Sequence, residues 1–103
     1  MLTKRLPVVK VRIHTIAGLK EVLGHGDIEL PVPQGATIRA LLALMVKRWG
    51  EGLVPYFSDF DHARPLPHVR ILVRGQDIAF LDGIDTQLSE GDEVLILPLV
   101  GGG

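Results

Sequence analysis

Cysteine is absent from all 103 residues, which excludes disulfides, thiolate nucleophiles and thiolate zinc sites and fits a reducing compartment. An excess of one charge is missing too. The 11 basic and 12 acidic residues leave a net charge of −1, and the basic ones are scattered along the chain. That balance argues against nucleic acid or a membrane surface as partner. No apolar run is long enough to span a bilayer. Met1 to Pro7 holds two basic residues with no apolar segment behind them, so a signal peptide is not expected and a cytoplasmic location is. There is no phosphate-binding glycine loop and no Ser/His/Asp constellation, and Gly24-His25-Gly26 is too short to serve as a nucleotide loop. A chain so equipped is not expected to be an enzyme by itself, nor to bind a metal or cofactor of its own.

What is present describes one domain, residues 1–103, large enough to bury about two-thirds of its unfolded surface. Its 47% hydrophobic content is slightly more than such a core needs and leaves apolar surface for a partner. Val9, Val11 and Ile13 alternate with Lys10, Arg12 and His14, the period of a half-buried strand. Asp27 to Val32 repeats the pattern, and the two segments are expected to pair as a hairpin whose loop runs from Gly18 to Gly26. Thr37 is placed to cap a helix that reaches Trp49, with Gly50 as its stop and Lys47 and Arg48 at the negative end of its dipole. Ile38, Leu41, Leu42, Met45 and Trp49 share one face of that helix.

Between Gly50 and His68 the prolines Pro55, Pro65 and Pro67 exclude a long regular element. One short helical turn is expected at Tyr56 to Asp59, with Tyr56, Phe57 and Phe60 packed under the loop. Asp59, Asp61, His62 and His68 match no metal-ligand spacing, and His14 and His25 carry no such signal either. Val69 to Arg74 alternates again, Gly75-Gln76 turns the chain, and Asp77 to Phe80 completes a second hairpin. Two further turns lead to a last strand, Glu93 to Val100, which is apolar on both faces and so reads as central. Strand, strand, helix, strand, strand and a central final strand make an α+β arrangement, a mixed sheet wrapped around one main helix, the ubiquitin-like β-grasp.

The final strand runs into Gly101, Gly102 and Gly103. With glycine usage near 7%, two closing glycines arise by chance in roughly 0.5% of chains, and a third is rarer. Glycines have no Cβ, so residues 98–103 form a thin, flexible tail that can thread a narrow groove and present an unhindered carboxylate. Such a tail suits a carboxylate that is itself a substrate. The strand before it supplies apolar side chains, and of Leu72, Leu95, Leu97 and Leu99 those whose parity points away from the helix are expected to dock partners.

His68 to Val94 includes a hairpin, then Phe80-Leu81-x-Gly83-x-x-Thr86-x-Leu88, then Gly91-Asp92-Glu93-Val94, with Pro98 and the closing glycines beyond. In this it resembles the MoaD-like sulfur carriers of the MoaD/ThiS family, the small subunits of molybdopterin synthase. The helix and its Thr37 cap extend the resemblance to Val8 to Gly103. Gly101 stands where family tails commonly have alanine, and the Gly50 to His68 insertion is longer than in the smallest members and similar to that of carriers feeding cysteine synthesis. The resemblance implies that an E1-like adenylating enzyme activates Gly103 with ATP and Mg²⁺, and that a sulfur donor protein converts the adenylate to a thiocarboxylate. The molybdopterin synthase large subunit would then receive the sulfur. Carriers for cysteine or thiamin synthesis, and ubiquitin-like modifiers joined through Gly103 to a lysine, share the adenylation and differ at the acceptor. A plain β-grasp binding module with an idle tail would need none of this chemistry, and fold alone cannot choose among these readings.

Overall fold

The computed structural model describes residues 7–53 and 69–98. Alternation builds the first strand, β1 (Val8–Thr15), which buries Val9, Val11, Ile13 and Thr15 and turns Val8, Lys10, Arg12 and His14 outward. A short helix, α1 (Ala17–Leu23), then leads to β2 (Asp27–Pro33), which returns antiparallel to β1 with Ile13 opposite Ile28 and Val11 opposite Leu30. The long helix α2 (Ile38–Trp49) follows, and a 3₁₀ turn, Gly50–Leu53, closes the first described stretch. The second stretch holds β3 (Val69–Val73), β4 (Gln76–Asp77), 3₁₀ turns at Ile78–Phe80 and Gly83–Asp85, and β5 (Glu93–Pro98).

The five strands lie in the order β2-β1-β5-β3-β4. β5 is central, parallel to β1 and antiparallel to β3. This is the mixed sheet of the ubiquitin-like β-grasp. Ile38, Leu41, Leu42 and Met45 of α2 are buried with the inward residues of the sheet in one core, and Trp49 packs against it half-exposed. Thr37 caps α2 as its sequence position predicts: its Oγ1 accepts from Ala40 N–H at 3.3 Å. Gly50, at φ 71°, ends it.

Three expectations need correction. The stretch Gly18 to Gly26 is not simply a loop, because α1 occupies most of it. Leu19 and Leu23, one turn apart, are buried at 0% and 6% exposure, and Gly24 in the left-handed region ends the helix by donating to Lys20 C=O. Seven residues are too few for a stable helix alone, so α1 forms because the core accepts its two leucines. The second hairpin forms, but of Asp77 to Phe80 only Asp77 belongs to its strand. Asp77 Oδ1 accepts from Ala79 N–H at 2.9 Å and bends the chain into a 3₁₀ turn that buries Ile78. The hairpin turn itself falls at Arg74-Gly75, at φ 53° and 81°, one residue earlier than Gly75-Gln76. The expected helical turn at Tyr56 to Asp59, the aromatics Tyr56, Phe57 and Phe60, and Asp59, Asp61, His62 and His68 lie outside the described residues.

Backbone bonds from Thr15 N–H to Gly26 C=O and from Gln34 N–H to Pro7 C=O set the phase of the β1–β2 ladder. Even-numbered residues of β2 therefore face β1, and residues 27, 29, 31 and 33 direct their backbone groups away from it. Pro31 and Pro33 occupy two of those four positions, where no N–H is offered.

Arg74 is costly in the left-handed region, which favours glycine or asparagine. Its guanidinium donates to Asp92 Oδ2, which also accepts from Ser89 N–H at 2.7 Å, and Asp92 C=O accepts from Arg12 N–H at 2.9 Å. Asp92, 7% exposed, thus joins the β3–β4 hairpin, the turn before β5 and the middle of β1. Asp92→Ala, which leaves Ser89 N–H unpaired, should lower stability by about 2 kcal/mol. A urea midpoint should show it, with Arg74→Ala costing less because its side chain is half-exposed.

Candidate functional site

β5 is the last described element before the closing glycines. Its pairing with β1 runs to Thr15 opposite Ile96, where Thr15 Oγ1 donates to Ile96 C=O at 2.6 Å in a buried contact. On the other side Val69 stands opposite Pro98. Pro98 is thus held by the sheet, and Leu99, Val100, Gly101, Gly102 and Gly103 lie beyond the described residues. The predicted threading glycines and the predicted activated terminus are among those five.

The predicted docking leucines fall on one face. Val94 and Ile96 of β5 and Val69, Ile71 and Val73 of β3 are buried on the helix side, so Leu95, Leu97 and Leu72 occupy the opposite side, each half-buried. Leu72 lies directly across from Leu95. Leu97 pairs with Arg70, and Leu95 pairs on its other side with His14. Three leucines on adjacent central strands make an apolar strip that α2 does not cover. Leu99, the fourth expected member, is outside the described residues.

Polar and charged residues frame the strip in close pairs. His14 Nε2 lies 3.1 Å from Glu93 Oε2 and its Nδ1 3.6 Å from Asp27 Oδ1. Arg70 Nε lies 3.4 Å from Asp77 Oδ2. Exposed pairs of this kind contribute about 0 to 1 kcal/mol each, so they position side chains more than they stabilise the fold. His14 carried no signal as a ligand, and its role here follows from register alone, since β1 places it between a carboxylate on β2 and one on β5. Among the described residues no group of three His, Cys, Asp or Glu is placed to hold a metal ion, and no helix is long and apolar enough to cross a membrane.

Phe80 is an exposed residue that periodicity misplaces. Read as a strand residue, it instead ends the Ile78–Phe80 turn and is 85% exposed. The signal that could have found it is Asp77, whose capping bond ends the strand before Phe80 is reached.

The two faces of β5 should respond oppositely to a buried charge. Ile96→Asp, at a fully buried position, should abolish the cooperative thermal transition. Leu95→Asp, one residue away and half-buried on the other face, should retain it with a midpoint lowered by only a few degrees; circular dichroism melts of the two proteins check this.

With this geometry in hand, likeness to known proteins is specific. The ThiS family model matches residues 13–103. Small archaeal modifier protein 3 of Haloferax volcanii is 30% identical over 95 residues, covering 92% of this chain and 100% of that protein. The solution structure of small archaeal modifier protein 1 from Methanosarcina acetivorans superposes with a TM-score of 0.74 at 26% identity, covering 94% of this chain and 99% of that one. A Pyrococcus furiosus chain assigned as molybdopterin converting factor subunit 1 superposes with a TM-score of 0.65 at 26% identity, covering 89% and 99%.

Proposed function

We propose, for a chain that belongs to the ThiS family, that Gly103 is the working group and that the fold exists to present it. The coarse function is that of the family: a sulfur carrier or ubiquitin-like modifier of β-grasp fold, a small protein consistent with a non-catalytic subunit. The observation that carries the finer reading is a pinned strand with a glycine tail beyond it. β5 is held by β1 up to Ile96 and by β3 up to Pro98, and the five residues that follow end in three glycines within a family match that extends to residue 103.

In this reading an E1-like enzyme joins the Gly103 carboxylate to AMP from ATP, with Mg²⁺ held by that enzyme, and pyrophosphate leaves. Sulfur at the hydrosulfide level, supplied through a donor protein, attacks the carbonyl carbon, the bond to the phosphate oxygen breaks, AMP departs with the electron pair, and the thiocarboxylate is left. The thiocarboxylate then passes its sulfur to a precursor held by the molybdopterin synthase large subunit, and hydrolysis restores the carboxylate. This chain supplies no acid or base to these steps. It contributes a carboxylate on a tail thin enough to enter another active site, and the Leu72, Leu95 and Leu97 strip on which a partner seats the body of the domain. Likeness to the Pyrococcus furiosus converting factor subunit supports the molybdopterin assignment.

A modifier role is favoured by a different observation, the match along the whole length of small archaeal modifier protein 3. It shares the adenylate and diverges where a lysine amine of another protein replaces sulfur as nucleophile. Carriers for cysteine or thiamin synthesis would keep the sulfur step and change only the last acceptor.

Removing Gly102 and Gly103 should abolish ATP–pyrophosphate exchange with the cognate adenylating enzyme while leaving the thermal midpoint within a few degrees, and Leu95→Asp should weaken binding to that enzyme more than tenfold by calorimetry. A truncated protein that still supports exchange would sink carrier and modifier readings together. For the pathway, protein thiocarboxylated at Gly103 and mixed with a molybdopterin synthase large subunit and the cyclic pterin precursor should come back with oxygen in place of sulfur by mass spectrometry. Sulfur retained there but released to a cysteine or thiazole synthase would reassign the pathway, and an isopeptide to a target lysine would establish the modifier.

A further inference from the structure

The outer side of α2 is used neither by the core nor by the leucine strip. Ile38, Leu41, Leu42 and Met45 turn inward. The helix period then places Arg39, Ala43 and Lys47 in one outer row and Ala40, Leu44 and Arg48 in the next, each row stepping by one turn. Leu44, 39% exposed, stands at the middle beside the alanines. The middle of this surface is therefore apolar and low, and its ends are basic.

Charge sets it apart from the rest of the molecule. The whole chain carries −1, yet no Asp or Glu occurs between Glu29 and Glu51, so α2 holds three cations and no acid. The helix dipole accounts for Lys47 and Arg48 at the carboxyl end. It does not account for the exposed leucine, nor for Arg39 in the first turn, where a cation is disfavoured and Asp85 Oδ1, 3.4 Å from Arg39 Nε, offsets it. Lys47 and Arg48 form no ion pair among the described residues. Arg48 is nonetheless held, its guanidinium carbon 4.9 Å from the centroid of the Trp49 ring. A guanidinium laid on an indole is already ordered and keeps its N–H edge for a carboxylate.

These features select the chemistry of an occupant. The groove between two rows of one helix receives a ridge of another, Leu44 supplies the apolar contact, and carboxylates match the cations at the carboxyl end. A nucleic acid would meet the cations and leave Leu44 uncovered. We propose that the outer side of α2 is a docking face for an acidic amphipathic helix of a partner protein, which seats small apolar side chains around Leu44 and directs Asp or Glu to Lys47 and Arg48. The sheet separates α2 from Leu72, Leu95 and Leu97, so this partner and one seated on the strip do not exclude each other. On the reading of Gly103 given above, a second protein can thus join while the adenylating enzyme holds the strip; the face itself rests on α2 alone.

The probe is a synthetic helical peptide with leucine and alanine along one face and glutamates on both flanks, compared with a peptide in which lysine replaces each glutamate. The net charge of −1 gives the acidic peptide no general attraction to the chain, so its preference reports the local surface. Added to the full chain, it should shift backbone NMR signals along Arg39–Arg48, leave those of Leu72 and Leu95 in place, and bind about tenfold more tightly than its lysine counterpart. Leu44→Ser and Arg48→Glu should each weaken it by about tenfold or more, with thermal midpoints within a few degrees of the parent's. Lys10→Glu, an equal loss of cation on the sheet, should leave binding nearly unchanged. Shifts on the leucine strip instead, equal binding of the two peptides, or a Leu44→Ser chain that binds as the parent does overturns the proposal. So does a DNA oligonucleotide that displaces the peptide and binds regardless of Leu44. No adenylation enters this assay, so its failure leaves the reading of Gly103 standing, and failure of that reading leaves this face.

Discussion

β5 forms hydrogen-bonded ladders with β1 on one side and β3 on the other, and the two faces of the sheet are set by those two ladders. The parallel ladder joins residues about eighty positions apart in sequence, as in the contact of Thr15 with Ile96. Such pairing gains nothing until a long loop has closed, so the sheet depends on its last strand arriving. Once seated, the strand has one face committed to the core through Val94 and Ile96 and the other left to Leu95 and Leu97. Direction of the apolar strip and closure of the core are one constraint.

Asp92 fixes the start of that strand as Thr15 fixes its end. A carboxylate 7% exposed is tolerated because one of its oxygens serves both a backbone N–H and a guanidinium, and the guanidinium belongs to a residue in a backbone region that arginine enters at a cost. The strained hairpin and the buried acid explain each other. Neither would be retained alone.

Much of this was legible beforehand. α2 announced itself through Thr37, the spacing of Ile38, Leu41, Leu42 and Met45, and Gly50; the central strand through its two apolar faces; and the outward leucines through parity. What escaped was decided by contacts distant in sequence or by single side-chain bonds. α1 has only two core leucines, and a pair at one-turn spacing looks the same in a loop until a core is there to receive it. Asp77 ended a strand that periodicity would have carried to Phe80, because one Asx bond to Ala79 outweighs a weak alternation. His14 drew no attention because its neighbours, Asp27 and Glu93, are brought to it only by strand register. Family membership was legible in the run from Phe80 to Val94 together with the closing glycines, and the family match bears that out. The choice between sulfur carriage and protein modification is not written in those residues, since both begin from the same activated carboxyl.

The two prolines of β2 shape how this molecule can associate at all. With Pro31 and Pro33 at positions whose backbone groups point away from β1, half of that rim offers carbonyls without amides, and an incoming strand would find no partner for its own carbonyls there. Sheet extension from copy to copy is discouraged at this rim, so crowding many such domains together does not by itself seed a continuous ribbon. A rim with half of its amides missing keeps any backbone contact made there weak and reversible.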